Sequence, residues 1–197
     1  ATVSAVGITA EIRHLTIANS GGSSESIGVY TNGVTNGSFS ISNVTATATG
    51  SVITYGVYND SSSPSMDNVT AIGSDGTNNH GVYNTGALSS PSMNNVIATG
   101  SGGTNNHGVH VLGASTSMTN GTATGSGGSN NYGVYIQLQD LAQPPSSLMN
   151  VTATGSGGSN SYGVIVNRGS SLTIQNSSIT GSAGISSNFG SANYGSL

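Results

Sequence analysis

The chain has 197 residues, of which only 4% are charged; it carries two arginines, no lysine and no cysteine. Disulfides are excluded, and Arg13 and Arg168 are too far apart in sequence to form the basic patch that grips a nucleic-acid backbone. No apolar run approaches the roughly 18 residues of a membrane helix, so neither nucleic acid nor membrane insertion is expected.

Glycine, serine, asparagine and threonine dominate, a composition that by itself suits disorder. Fixed spacing argues for order instead. In chain order, residues 1–17 read as strand through Val3, Val6, Ile8, Ile12, Leu15 and Ile17, and a degenerate copy ends at Gly28-Val29-Tyr30. Regular copies follow. Asn43, Asn68, Asn95, Asn120 and Asn150 each stand 13 residues before a glycine, namely Gly56, Gly81, Gly108, Gly133 and Gly163, and valine follows every one of those glycines. From glycine to the next asparagine the distance varies: 12, 14, 12, 17 and 13 residues. A last degenerate copy starts at Ile174-Gln175-Asn176. The expectation is one domain over 1–197, with degenerate turns at 1–30, regular repeats at 31–175 and a degenerate turn at 176–197.

A repeat of this length with one fixed half is the mark of a stacked architecture. Each copy holds three short strands: one around the Met, Leu or Ile before the asparagine, then Val-Thr-Ala-Thr, then Gly-Val-Tyr. Alternation places Val69, Ala71 and Val82 inside and Thr70, Ile72 and Tyr83 outside. Stacking in register gives columns. Met66, Met93, Met118 and Leu148 form one core column; Val44, Val69, Val96 and Val151 a second; Val57, Val82, Val109, Val134 and Val164 a third. An asparagine ladder runs through Asn43, Asn68, Asn95, Asn120, Asn150 and Asn176, at sharp bends where asparagine tolerates left-handed angles. Flat rings form two more: Tyr55, His80, His107, Tyr132 and Tyr162, then Tyr30, Tyr58, Tyr83, His110 and Tyr135.

Asn-Val-Thr-Ala-Thr-Gly followed by Gly-Val-Tyr resembles the parallel β-helix repeat of the pectate-lyase-like superfamily. It is most similar to the Gly/Ser/Asn-rich versions of bacterial secreted and surface proteins. The resemblance implies an all-β, right-handed parallel β-helix of about seven turns, with 25 to 30 residues and three short strands per turn. It implies no particular activity, because that fold hosts many.

Catalysis is not expected. Enzymes of that superfamily use clustered aspartates, or calcium-binding acids beside an Arg or Lys. Glu11, Glu25, Asp60, Asp67, Asp75 and Asp140 occupy different positions in their repeats. No cofactor is expected. No metal is expected either, because tyrosine fills the histidine columns in neighbouring turns and the position asks for a flat ring. Asn-x-Ser/Thr occurs at Asn36, Asn43, Asn59, Asn68, Asn120, Asn150 and Asn176. The ladder members are expected to be buried, which leaves Asn36 and Asn59 as the glycosylation candidates. Outward Thr-x-Thr pairs at 45/47, 122/124 and 152/154 resemble the ice-binding faces of antifreeze solenoids, with Ile72 and Ile97 as interruptions.

The variable segment offers a binding loop, with Gln137, Gln139, Asp140, Pro144 and Pro145 as candidates. The leading expectation is a secreted or cell-surface structural subunit that stacks end to end on copies of itself. Low charge removes the usual repulsion against association. The alternative is an adhesin or glycan-binding module acting through the variable loops, with ice binding through the Thr-x-Thr face or a polysaccharide-degrading enzyme ranked below it.

Overall fold

The computed structural model describes residues 1–34, 39–87, 89–137, 144–167 and 169–193. The strands are β1 (Val3–Val6), β2 (Glu11–Ser20), β3 (Glu25–Asn32), β4 (Ser40–Thr49), β5 (Ile53–Asp60), β6 (Ser65–Ser74), β7 (Asn78–Thr85), β8 (Ser92–Asn94) and β9 (Ile97–Ser101). They continue with β10 (Asn105–Leu112), β11 (Ser117–Thr119), β12 (Thr122–Ser126), β13 (Asn130–Gln137), β14 (Ser146–Met149), β15 (Thr152–Val166), β16 (Leu172–Gln175) and β17 (Ser178–Asn193). Every pairing among them is parallel. The result is an all-β solenoid of about 6 turns, slightly fewer than expected. Strand β1 pairs only with β3 and supplies one side of a turn, so the first residues do not close a turn of their own.

Register turns each sequence column into a physical one. Val57 pairs with Val82, Val82 with Val109, Val109 with Val134 and Val134 with Val164. All five are buried, as are Met66, Met93, Met118 and Leu148. Val69 and Ala71 point inward, and Thr70 and Ile72 lie at the surface. Each fully buried Val or Met contributes about 1.5–3 kcal/mol, so stability is spread along the stack.

The other valine column, of Val44, Val69, Val96 and Val151, has a gap at Gly121. A Cβ there would stand 2.4 Å from the terminal methyl of Met118 and 2.8 Å from the Val96 carbonyl oxygen. The methionine end has taken the space that valine fills elsewhere.

Three strands per turn is only part of the pattern. In β4 and β6 the first two strands run on as one, straight through Asn43 and Asn68. From β8 and β9 onward the two separate at the asparagine, and β15 continues through the glycine loop. One left-handed residue bends a strand without stopping the pairing on either side of it.

That residue is the ladder asparagine. Asn43, Asn68, Asn95, Asn120, Asn150 and Asn176 all have φ between 50° and 55°. His14, at φ 54°, holds the same place in the first row, between Arg13, which pairs with Ser42, and Leu15, which pairs with Val44. The left-handed backbone turns these side chains outward, so the ladder is exposed and the expectation of burial is wrong. Amide links join its rungs, with Asn95 Nδ2 donating to Asn68 Oδ1 at 3.2 Å and Asn150 Nδ2 to Asn120 Oδ1 at 3.1 Å.

The repeat glycines have a different reason. Gly56, Gly81, Gly108 and Gly133 do not have positive φ. A Cβ on Gly81 would lie 2.4 Å from the Thr99 nitrogen and 2.7 Å from the Ala98 carbonyl carbon. The strand backbone there presses on the Val-Thr-Ala-Thr strand of the next turn, and no side chain fits between.

These two positions respond differently to substitution. Gly81→Ala is expected to destabilise by about 1–3 kcal/mol or more, because backbone has to move. Asn95→Ala is expected to cost about 1–2 kcal/mol through its left-handed angle, and Asn95→Gly much less. Denaturation midpoints of the three variants check the order.

Candidate functional site

Strand geometry alone would send Tyr55 and Tyr58, three residues apart, to opposite faces. The backbone skips a pairing step at Gly56, where Tyr55 pairs with His80 and Val57 with Val82. Both rings therefore reach the same side, and their centroids lie 4.8 Å apart. The two ring columns expected from the sequence thus merge into one double column lining a shallow cavity of about 340 Å³.

The column that precedes the glycine stacks face to face. Tyr55 and His80 are 5.1 Å apart with planes 13° from parallel; His80 and His107 are 4.7 Å and 11°; His107 and Tyr132 are 4.8 Å and 15°; Tyr132 and Tyr162 are 5.7 Å and 7°. The second column is tilted: Tyr30 meets Tyr58 at 67°, and Tyr83 meets His110 at 63°. Each such contact adds about 0.5–1.5 kcal/mol.

Three histidines meet in the middle. His80 comes from β7, and His107 and His110 from β10. His80 and His107 are buried, and His110 is half-buried. Nδ1 of His80, Nδ1 of His107 and both ring nitrogens of His110 are shut from solvent without a hydrogen-bond partner. Burial pushes the pKa of all three down, His80 and His110 well below the ordinary value and His107 to about 3. Repulsion from His107 adds to the shift at His80 and His110, and the backbone of Asn79 opposes it at His107. The flanking phenols move the other way for the same cause, with burial raising Tyr55 and Tyr83 and taking Tyr58 to about 12. All these rings are uncharged at neutral pH.

Polar interior ladders, which the sequence reading did not identify, support this groove from behind. Asn79, Asn106 and Asn131 are fully buried. Asn106 Oδ1 accepts from the Gly103 backbone nitrogen at 3.0 Å, while its Nδ2 donates to the Gly103 carbonyl and to Asn131 Oδ1, each at 3.0 Å. Each asparagine thus closes the glycine loop of its own turn and links to the next. Thr54 caps the row by donating to Asn79 Oδ1 at 2.7 Å. The loops themselves nest tightly, since a Cβ on Gly103 would fall 2.0 Å from the Gly76 carbonyl oxygen. The signal was present as Asn-Asn pairs at 78–79, 105–106 and 130–131, with the second member inward.

A second interior row links Thr31 to Asn59 at 2.8 Å, Asn59 to Asn84 at 2.8 Å and Asn84 to Thr116 at 3.0 Å. Asn59 is therefore buried, which corrects its assignment as an accessible glycosylation site. Asn36 lies outside the described residues. The sequons at Asn43, Asn68, Asn120, Asn150 and Asn176 are the exposed ones.

The described carboxylates take dispersed structural partners. Asp60 accepts from Asn32 at 2.8 Å, Asp67 accepts from Asn94 at 2.6 Å, and Glu11 sits 3.6 Å from Arg13 at the exposed surface. Of the variable-loop candidates, Gln137, Pro144 and Pro145 are exposed, and Gln139 and Asp140 lie outside the described residues. The threonine columns are real but mixed: Ile97 stands between Thr70 and Thr122, and Ile72 between Thr47 and Thr99.

No protein-family model, curated protein or solved structure matches the chain.

The buried imidazoles predict an acid-sensitive stack. Folded pKa values below the unfolded value of about 6.5 mean that the unfolded chain binds protons first as pH falls. The stabilisation is complete above about pH 6.5 and declines below it, by up to about 1.4 kcal/mol per pH unit for each histidine. For His107 the decline continues to about pH 3. Thermal melts from pH 8 to pH 4 should show this slope, and it should be shallower in His107→Tyr.

Proposed function

We infer that the chain is a structural module of an extracellular stalk or filament, extended by stacking solenoid turns of one copy on those of another. One observation carries this reading: at each end of the described stack one core column emerges exposed, at Leu15 and at Ile174, although Ile12 and Ile17 in the row of Leu15 are covered. Leu15 pairs with Val44 and Val44 with Val69, in a column that is 1–2% exposed at those valines, yet Leu15 itself is 49% exposed. Ile174 pairs with Leu148, which pairs with Met118; exposure along that column rises from 0% at Met118 to 39% at Ile174. Val6, in β1, and Ile8, just after it, are 57% and 47% exposed.

The chemistry that suits these surfaces is another turn of the same kind. Its strand edge would pair with the free edge, and its apolar column would cover the exposed one. Because the two ends differ, the contact is head to tail and does not close on itself, which is the geometry of a filament. Low charge supports the reading, since little repulsion opposes approach. The likeness of the repeat to the pectate-lyase-like superfamily is part of the same reading and concerns architecture, not activity.

Electron microscopy and sedimentation across a concentration series test it. The expected result is rods that lengthen with concentration, and Leu15→Lys rods that stay short while their circular dichroism is unchanged. Rods of one length at every concentration would overturn self-stacking and leave the ends to be covered by other segments.

A further inference from the structure

We propose that His80, His107 and His110 form a binding site for a nitrogen-preferring divalent transition-metal ion, of which Zn²⁺ is the representative. The ligand atoms of the three lie within 4.8 Å of one another, at the wall of the ring-lined cavity. They come from two adjacent turns, so one ion would tie β7 to β10.

The case begins with what stacking does not explain. Tyrosine holds these columns on both sides of the cluster, at Tyr55, Tyr83, Tyr132 and Tyr135. A flat ring is therefore available without ring nitrogens. Histidine instead leaves four buried nitrogens without a partner. A buried donor or acceptor left unpaired is destabilising, because it has given up water without gaining a partner. The three histidines also occupy neighbouring positions, where all three residues line one cavity, and are not scattered along the columns.

The protonation state fits. Burial keeps all three imidazoles neutral above the acid range, so each has a lone pair to offer and no proton has to be displaced at neutral pH. The donor set selects the ion. Imidazole suits Zn²⁺, Cu²⁺ and Ni²⁺, whereas Ca²⁺ and Mg²⁺ need oxygen ligands that the three residues do not supply. Three nitrogen ligands leave a coordination position for water.

One rearrangement is required. The ring planes lie within 11° to 26° of each other, so their in-plane lone pairs run side by side. Zinc–nitrogen bonds of about 2.0–2.1 Å in tetrahedral array bring ligand nitrogens to about 3.3 Å. At least one ring has to rotate about its Cβ–Cγ bond and give up part of its stacking. The cavity beside the rings gives that rotation room.

The test is titration of the untagged 197-residue chain with Zn²⁺ at pH 7.5, by calorimetry and thermal melting, with Co²⁺ absorption as the reporter of coordination. The expected result is saturable binding of one ion per chain, a raised melting temperature, and visible Co²⁺ bands of a low-coordinate nitrogen site. His107→Tyr, which copies the neighbouring turns and keeps the stack, should weaken binding at least tenfold. His80→Tyr and His110→Tyr are independent replacements should one variant fail to fold. Ca²⁺ should produce no shift. Absence of saturable Zn²⁺ binding, undiminished binding in folded His→Tyr variants, or loss of binding in the exposed-site variant His14→Ala would each overturn the proposal.

Discussion

Everything in this molecule answers to one constraint: each residue must be compatible with its own counterpart one strand spacing away. Parallel pairing in register sets Val82 on Val57 and under Val109, Asn105 on Asn78 and under Asn130. A residue type is admitted to a column only if it can stack on itself. Valine and methionine do so by packing, asparagine by donating from one amide to the next, and rings by face contact.

The same constraint accounts for the scarcity of charge. Two like charges about 4.8 Å apart repel by about 1 kcal/mol in water and several times more near a protein surface. A lysine column would accumulate that penalty at every step. Asparagine supplies both a donor and an acceptor without charge, and its side chains run as continuous links such as Asn130 to Asn105 and Asn160 to Asn130, both at 2.7 Å. The described carboxylates are set apart, Asp67 between the neutral amides of Asn68 and Asn94 and Glu11 beside Arg13. Among the rings, His80, His107 and His110 are held neutral by burial, which makes the stack sensitive to acid.

Periodicity made the columns legible in the sequence, because a column is a repeated position and needs no knowledge of direction. Val69, Ala71 and Val82 face inward as alternation requires. Direction was lost where the backbone departs from a plain strand. At Asn95 the left-handed angle turns the ladder outward, so a position that looked like a buried bend is a surface ridge. At Gly56 the skipped pairing step brings Tyr55 and Tyr58 together, which a period of two cannot foresee. The interior role of Asn79, Asn106 and Asn131 was hidden for a related reason. A polar residue beside glycines reads as loop, and only the inward geometry shows that it closes the loop from within.

Departures from a column are therefore more informative than the column itself. Gly121 breaks the valine row, and Met118 fills the space, so that departure is a packing exchange and asks for nothing further. Leu15 and Ile174 obey their columns in residue type but not in exposure, because each stands in the outermost described row of its column. His80, His107 and His110 obey the demand for a flat ring but add nitrogens the stack leaves unpaired. A solenoid that needed only to be long would have no reason to prefer imidazole to phenol at three touching positions. The structural reading and the metal site are thus separable: one follows from how the columns end, the other from how two of them change partway along.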